Sequence, residues 1–378
     1  MSHTLESIVG ETSSWAIKNR DSAALRRLLS ERGCFIYGAG GYGRDVAAAL
    51  AAQGLSLRGF IDGYASASVV AGVPCCKPAE VDAAMAAQAV LIVAVNNFKT
   101  PVQEIVDWAR SVPFGDIVYV AELPDLLGRE LGHYWQSSRN LIADNTAALS
   151  AFCDMLGDER SREVLKALAR YRISGRPEDH PEVDRDHQYF PSDLPIGRAG
   201  ISVVDCGAFP GDMLQSIAAA GYSLLNWYAF EPDPANFRHL RDVASQTGGF
   251  SSASLFPCGV GDSSGMVRFS DGAADASRAM DAGGEGGVVV PIVRVDDVVH
   301  ADRIDMVKLD VEGFEAAAID GMAELLGRHR PRLAVAIYHK PSDLWELAFK
   351  IDRMFPGSRY AIRQHGYNGY DTVLYVDL

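Results

Sequence analysis

The chain is short of positive charge: 35 Lys and Arg stand against 49 Asp and Glu, a formal net charge of -14, and the basic residues form no run. A polyanion such as tRNA or DNA therefore meets no basic patch, and nucleic acid is not expected as a partner. The six cysteines, Cys34, Cys75, Cys76, Cys153, Cys206 and Cys258, include no C-x-x-C pair. Their apolar neighbours suit reduced, mostly buried thiols better than disulfides or a cysteine-held metal. The opening MSHTLESIVGETSSW lacks the basic-then-apolar order of a signal peptide, and no apolar run approaches the length of a membrane span. A soluble cytoplasmic protein is the expectation. Internal sequence repeats are also lacking.

What is present is enough length and apolar content for two domains: 378 residues, 48% hydrophobic and 22% charged. Residues 1–32 read as a helix ending in AALRRLLSERG, where Gly33 stops the run. CFIY, GAGGYGRDVAAALAAQG, LRGFID and AVLIVAV then give strand, glycine turn, helix and further strands, a small doubly wound domain over 33–128. Residues 129–199 turn helical and end in the polar passage PEDHPEVDRDHQYFPSD, read as a connector. Residues 200–378 form a second α/β domain whose tail, SRYAIRQH and DTVLYV around GYNGY, carries an Asn368-Gly369 hairpin signal. The fold class is thus α/β, two doubly wound Rossmann-like domains joined by a helical connector. Asp271 to Gly287, rich in Ala and Gly, reads as a mobile loop, either a lid over an acceptor or plain surface.

Two glycine turns follow different grammars. Gly38-Ala39-Gly40-Gly41-Tyr42-Gly43 satisfies G-x-G-x-x-G between a strand and a helix, and Asp62 ends the next strand. Gly38, Gly40, Gly43 and Asp62 make a second candidate nucleotide site. It could take NAD, a nucleotide-sugar diphosphate or nothing, the glycines then serving close packing alone. Lys77, Asn96, Asn97 and Lys99 are candidate phosphate or sugar contacts, or polar loop residues. The later turn, Asp205-Cys206-Gly207-Ala208-Phe209-Pro210-Gly211, reads D-x-G-x-x-x-G, with Pro210 removing an amide donor. A helix from about Asp212 to Ala220 follows, and WYAF then delivers Glu231, which can accept two hydroxyl protons of a ribose. Such a turn suits a nucleoside ligand without phosphates.

VVDCGAFPGD, YAFEPDPANFRHL, the ASR of Ala276 to Arg278, VKLDVEGFE, AVAIYHKPSDL and DTVLYV stand in the order of the FkbM-family S-adenosylmethionine-dependent methyltransferases, which Gly200 to Leu378 resembles. The resemblance implies a class I methyltransferase fold with an antiparallel C-terminal hairpin. It also implies S-adenosylmethionine as cofactor and O-methylation of a sugar or polyketide hydroxyl on a small-molecule or glycan acceptor. Asp205, Gly207, Gly211 and Asp212 would then line the donor and Glu231 its ribose. Asp233 and Asn236 would cap the next helix or face the adenosine, and Asp262 is an adenine-facing acid or a turn residue. Ser277 and Arg278 would contact donor or acceptor, or solvent.

On the acceptor side, Lys308, Asp310 and Glu312 share one face if the strand runs that far. One carboxylate could act as base, or both could join a divalent metal. Alternatively Asp310 caps a helix beginning near Glu312, with Lys308 neutralising it. His339, after LAVAIY, is favoured over Asp310 as general base, while Tyr338 points to the opposite face. GFID and AGVPCCKP resemble the N-terminal nucleotide-sugar-binding domains of sugar acyltransferases, which would put a nucleotide-sugar on the first turn. Rival readings are an NAD-dependent sugar-modifying oxidoreductase built on Gly38 to Gly43 and a non-catalytic nucleotide-binding scaffold. Oligomeric state is left open.

Overall fold

In the computed structural model, residues 4–269, 279–280 and 288–378 are described. Ser277, Arg278 and most of the expected lid therefore lie outside the described residues. The chain divides into two compact units. One comprises Met1–Cys153, Arg162–Val183 and Gly366–Tyr370; the other comprises Asp154–Ser161, Asp184–His365 and Asp371–Leu378. The stretch between 129 and 199 is shared between them. Among the described residues no helix is long and apolar enough to cross a membrane.

The first unit holds a six-stranded sheet of β1 (Cys34–Tyr37), β2 (Leu57–Ile61), β3 (Val69–Val70), β4 (Val73–Cys76), β5 (Val90–Val93) and β6 (Asp116–Val118), in the order β3-β4-β2-β1-β5-β6. All pairings are parallel except β3 with β4. The continuous apolar run VLIV is fully buried, as a central parallel strand covered on both faces requires. The N-terminal segment forms two helices, Leu5–Asn19 and Ser22–Arg32, where the sequence suggests one. The break falls at Arg20, whose buried guanidinium donates to Glu122 at 2.7 and 2.9 Å and to Asp116 at 2.8 Å. Asp21 then caps the second helix, accepting from the amides of Ala23 and Ala24.

In the second unit the strands are β7 (Gly200–Cys206), β8 (Ser223–Phe230), β9 (Ser252–Phe256), β10 (Gly259–Val260), β11 (Gly265–Phe269), β12 (Ala279–Met280), β13 (Val288–Val293), β14 (Met306–Leu309), β15 (Arg332–Ala336), β16 (Arg359–Gln364) and β17 (Thr372–Asp377). Seven of them make one sheet in the order β9-β8-β7-β14-β15-β17-β16. β17 runs antiparallel to both neighbours and the other pairings are parallel, the C-terminal antiparallel pair that the sequence implies. A second sheet of four strands has the order β10-β13-β11-β12. The run SLFPCGV is divided between the two sheets, because the chain turns at Pro257–Cys258. The core beneath the large sheet gathers Ile201, Val203, Trp227, Met306 and Ala334, all excluded from solvent.

Between β16 and β17, Asn368 (φ 58°) and Gly369 (φ 75°) take the left-handed conformations that an Asn-Gly turn needs. They tip a longer loop whose Gly366–Tyr370 belongs to the first unit. There the Trp135 indole donates to the Asn368 carbonyl at 2.8 Å, and the Asn368 amide donates to the carbonyls of Asn97 and Thr100 at 2.7 and 3.0 Å.

His365, just past β16 and 2% exposed, faces the Asp184 carbonyl through Nδ1 at 2.6 Å and the Tyr375 hydroxyl through Nε2 at 2.8 Å. The Nδ1 proton goes to the carbonyl, so Nε2 accepts from the tyrosine. Burial pulls this imidazole down to about 4, against the Asp184 carbonyl. Between about pH 6.5 and 4 the unfolded chain binds a proton that the folded chain refuses, so stability falls as pH drops, by about 3 kcal/mol at the lower end. Asp371, raised to about 7 first by burial, acts in the opposite sense. The check is therefore the difference from His365→Gln: across this range the dependence of unfolding free energy on pH should be less positive in the variant by up to one proton. Equal slopes would place the titrating group elsewhere.

Candidate functional site

Parallel strands β7, β8, β14 and β15 present their carboxyl ends together, the edge where α/β sheets bind ligands. Asp205 stands one residue before the end of β7 and is wholly buried. Its Oδ2 accepts from the Trp227 indole at 3.3 Å, and the Lys308 ammonium lies 3.3 Å from Oδ1. Lys308, also buried, donates to the Gly207 carbonyl and stands 5.4 Å from the centre of the Tyr189 ring. Burial works against its charge, but Asp205, Asp310 and Asp212 hold its pKa above the usual lysine value. Burial raises the Asp205 carboxyl in turn, with Lys308 opposing. Asp205 and Lys308 thus brace the glycine turn from within the protein.

The glycines serve a purpose the sequence does not disclose. A Cβ on Gly207 (φ 79°) would stand 1.9 Å from the Asp310 carbonyl oxygen, so the close approach it allows is to the neighbouring chain segment. A Cβ on Gly211 (φ 96°) would meet Val243 at 3.3 Å and Leu240 at 3.4 Å. Asp212 is exposed at the start of the helix Met213–Ala219 and makes no cap bond.

Glu231, 5% exposed, accepts the Phe209 amide on Oε2 and the Asp233 amide on Oε1, both at 2.8 Å. It thereby ties the turn after β7 to the turn after β8. Burial raises its pKa, partly offset by these two amides. Each oxygen keeps a further lone pair. Asp233 caps the helix Pro234–Thr247 through the Ala235 and Asn236 amides, and Asn236 is buried. Asp262 is exposed and accepts the Ser263 hydroxyl at 3.0 Å.

β14 stops at Leu309, so the alternation that would put Lys308, Asp310 and Glu312 on one face does not continue. Lys308 turns to Asp205. Asp310 accepts the Tyr189 hydroxyl on Oδ2 at 2.8 Å, and its Oδ1 lies 3.3 Å from His339 Nε2 and 3.5 Å from the Tyr338 hydroxyl. Burial would raise this carboxyl, but His339 and Lys308 hold it well below the usual range. Glu312 takes a left-handed φ of 55° and sets Oε2 3.8 Å from His339 Nε2.

The following helix is Glu315–Asp320, and Asp310 does not cap it. Instead Glu315, 1% exposed, folds Oε1 back onto the Val311 amide at 2.9 Å and receives His339 Nδ1 at 2.7 Å. Burial opposes charge on His339, yet Glu315, Glu312 and Asp310 hold its pKa well above the ordinary value. β15 ends at Ala336, so alternation does not govern Tyr338 either, and its ring centre lies 4.3 Å from that of His339.

Tyr189 and Glu315 are the residues that sequence reasoning missed. Glu315 had a signal, as the last acid of VKLDVEGFE. Tyr189 sits in an irregular polar passage with φ 68° and had none.

In the first unit, a Cβ on Gly38 (φ 104°) would come 2.9 Å from the Ala94 carbonyl oxygen, and one on Gly43 would come 1.9 Å from that of Gly38. Packing of the chain on itself accounts for both glycines; Gly40 faces open space. Asp62 accepts the amides of Ala39, Tyr64 and Ala65 at 2.8 to 2.9 Å. Lys77 donates to the carbonyls of Gly63 and Ala65. Asn97 accepts the amides of Lys99 and Thr100, and the Asn96 side-chain amide donates to the Tyr370 hydroxyl.

Residues 205–368 match the family model of the methyltransferase FkbM domain. Among solved structures, methyltransferase FkbM from Methylobacillus flagellatus KT aligns with a TM-score of 0.78 at 21% identity, covering 98% of this chain and 99% of that one. The two share a fold along their whole lengths. A putative rRNA-methylase from Clostridium thermocellum (10% identity, 47% of this chain, 86% of that one) reaches a TM-score of 0.30. Aeropyrum pernix fibrillarin in complex with S-adenosyl-L-methionine (14% identity, 49% and 69%) reaches 0.28. Values that low carry no structural argument. No curated protein sequence matches the chain.

Proposed function

With residues 205–368 forming a methyltransferase FkbM domain, we propose that the protein is an S-adenosylmethionine-dependent O-methyltransferase acting on a hydroxyl of a sugar or glycoconjugate precursor. The observation that carries this reading is the charge at the sheet edge. Lys308 is committed to Asp205 and the Gly207 carbonyl, and the loops there bring Asp212, Asp233 and Asp310. A negative field of this kind favours a sulfonium cation and a ribose over a pyrophosphate. When bound, S-adenosylmethionine supplies a methyl group already activated for in-line displacement.

The chain's own residues then do three things. Glu231, fixed by two backbone amides, offers its remaining lone pairs to hydroxyls of the donor. Asp205 and Lys308 hold the turn that carries Gly207, and with it the position of anything bound on that turn. The group of Asp310, Glu312 and His339 receives the proton that an acceptor hydroxyl loses, with the Tyr189 and Tyr338 hydroxyls orienting Asp310. We assign no ligand to the Gly38 to Gly43 turn, where Gly38 and Gly43 are required by close backbone packing and Asp62 is held by backbone amides.

Calorimetry tests the reading. S-adenosylmethionine and S-adenosylhomocysteine should bind the wild type, and Glu231→Ala should weaken both by about 1 to 3 kcal/mol, the scale of hydrogen bonds to a charged group. Binding of NAD without either sulfur ligand would overturn the assignment. With donor binding intact, failure to transfer a labelled methyl group to any hydroxylated acceptor would leave a binding protein instead of an enzyme.

A further inference from the structure

We infer that Asp310, Glu312 and His339 form a site for a first-row divalent cation, with Glu315 as the residue that orients the imidazole. His339 Nε2 stands 3.3 Å from Asp310 Oδ1 and 3.8 Å from Glu312 Oε2. Ligand atoms each about 2.1 Å from one ion are separated by roughly 3.0 to 3.4 Å in octahedral or tetrahedral geometry. The first distance already fits, and a small turn of the Glu312 side chain brings in the second. An oxygen or nitrogen from Asp310, Glu315 and His339 also lies within 4.8 Å of the others. Glu315 nevertheless has a different part to play, because its Oε1 is held by the Val311 amide and by His339 Nδ1.

The supporting shell is that of a metal-binding histidine. A carboxylate on Nδ1 fixes the tautomer and ring plane and leaves Nε2 as the coordinating atom. Asp310 is oriented in the same way, with Oδ2 on the Tyr189 hydroxyl and Oδ1 turned to His339. Glu312 holds a left-handed backbone, φ 55°, a conformation that costs a non-glycine residue about 1 to 2 kcal/mol and concentrates at functional sites. Three carboxylates, Asp310, Glu312 and Glu315, face this one imidazole, a concentration of oxygen ligands and negative charge that a dication compensates. One nitrogen with two oxygens favours Mn²⁺ or Zn²⁺ over Ca²⁺, which takes six to eight oxygens. Its chemical use rests on the methyltransferase reading: a cation there would lower the pKa of an acceptor hydroxyl beside it. Cation binding itself does not depend on that reading.

The test uses the full chain, freed of metal by chelation and titrated with Mn²⁺ while the signal of the free ion is followed by electron paramagnetic resonance. Wild type should saturate at one ion per chain. Glu315→Gln should bind about 10- to 100-fold more weakly, as expected for loss of an orienting partner. Glu312→Gln, at a partly exposed position that tolerates the change, should lose saturable binding while keeping the wild-type melting temperature of the metal-free protein. Asp242→Asn, on the exposed face of another helix, should bind as wild type does. No saturable binding by wild type, or equal binding by Glu312→Gln, overturns the site. Calorimetry with S-adenosylmethionine on the same samples separates the two ideas: donor binding without Mn²⁺ binding ends the cation site alone, and the reverse ends the methyltransferase reading alone.

Discussion

Replacing Gly207 by alanine should remove donor binding and destabilise the second unit by about 2 to 5 kcal/mol. Two penalties add at this position. A left-handed φ of 79° costs an alanine about 1 to 2 kcal/mol. The new methyl would also stand 1.9 Å from the Asp310 carbonyl oxygen, which cannot retreat freely because the Asp310 amide is bonded to the Cys206 carbonyl at 3.1 Å. Overpacking of that kind commonly adds 1 to 3 kcal/mol. Gly221 supplies the control. Its φ of 78° is nearly the same, but a Cβ there would meet nothing within 4 Å, so Gly221→Ala should show the first penalty alone. Thermal melting and donor calorimetry on the two variants decide the matter. If Gly207→Ala melted no lower than Gly221→Ala, the close approach to Asp310 would not be what requires glycine.

Lys308→Met should cost about 3 to 5 kcal/mol, the range for breaking a buried ion pair on one side. The loss comes from what is left behind. Asp205 has no exposure to water, and without the ammonium its carboxylate keeps only the Trp227 indole. Adding Asp205→Asn to Lys308→Met should recover most of the stability, since the double variant leaves no unpaired charge at this pair of positions. The single variant should also show a characteristic pH dependence. Its buried carboxyl, deprived of Lys308, has a pKa above that of the unfolded chain, about 3.9, so the folded state binds the extra proton. Stability is then fully present below that value and is lost as pH rises, making the defect small in acid and large at neutral pH. A pH-independent defect, or a double variant no better than the single, would show that packing and not charge is what Lys308 provides.

Parts of this site were legible from residue order because their causes are local. The D-x-G-x-x-x-G turn announces itself through glycines at positive φ and an apolar strand before them. Asp233 caps its helix from the residue before a proline, which short-range rules describe well. The antiparallel close of the sheet follows from two apolar runs around GYNGY. Alternation misled where strands ended sooner than the apolar pattern did: β14 stops at Leu309 and β15 at Ala336, so Asp310, Glu312, Tyr338 and His339 stand in turns where no period of two applies.

By itself, then, the sequence determined the α/β class, the two glycine turns and the set of acids at the carboxyl ends of the strands, because periodicity, glycine and proline act over a few residues. Only the tertiary structure decided what those acids do. Asp205 lies buried on Lys308, Glu231 spans two turns, and Glu315 takes His339 Nδ1, in each case because sheet register sets side by side the ends of strands far apart in the chain. No local signal encodes a pairing made across such separations, since its energy depends on burial and on the neighbours that the fold brings together.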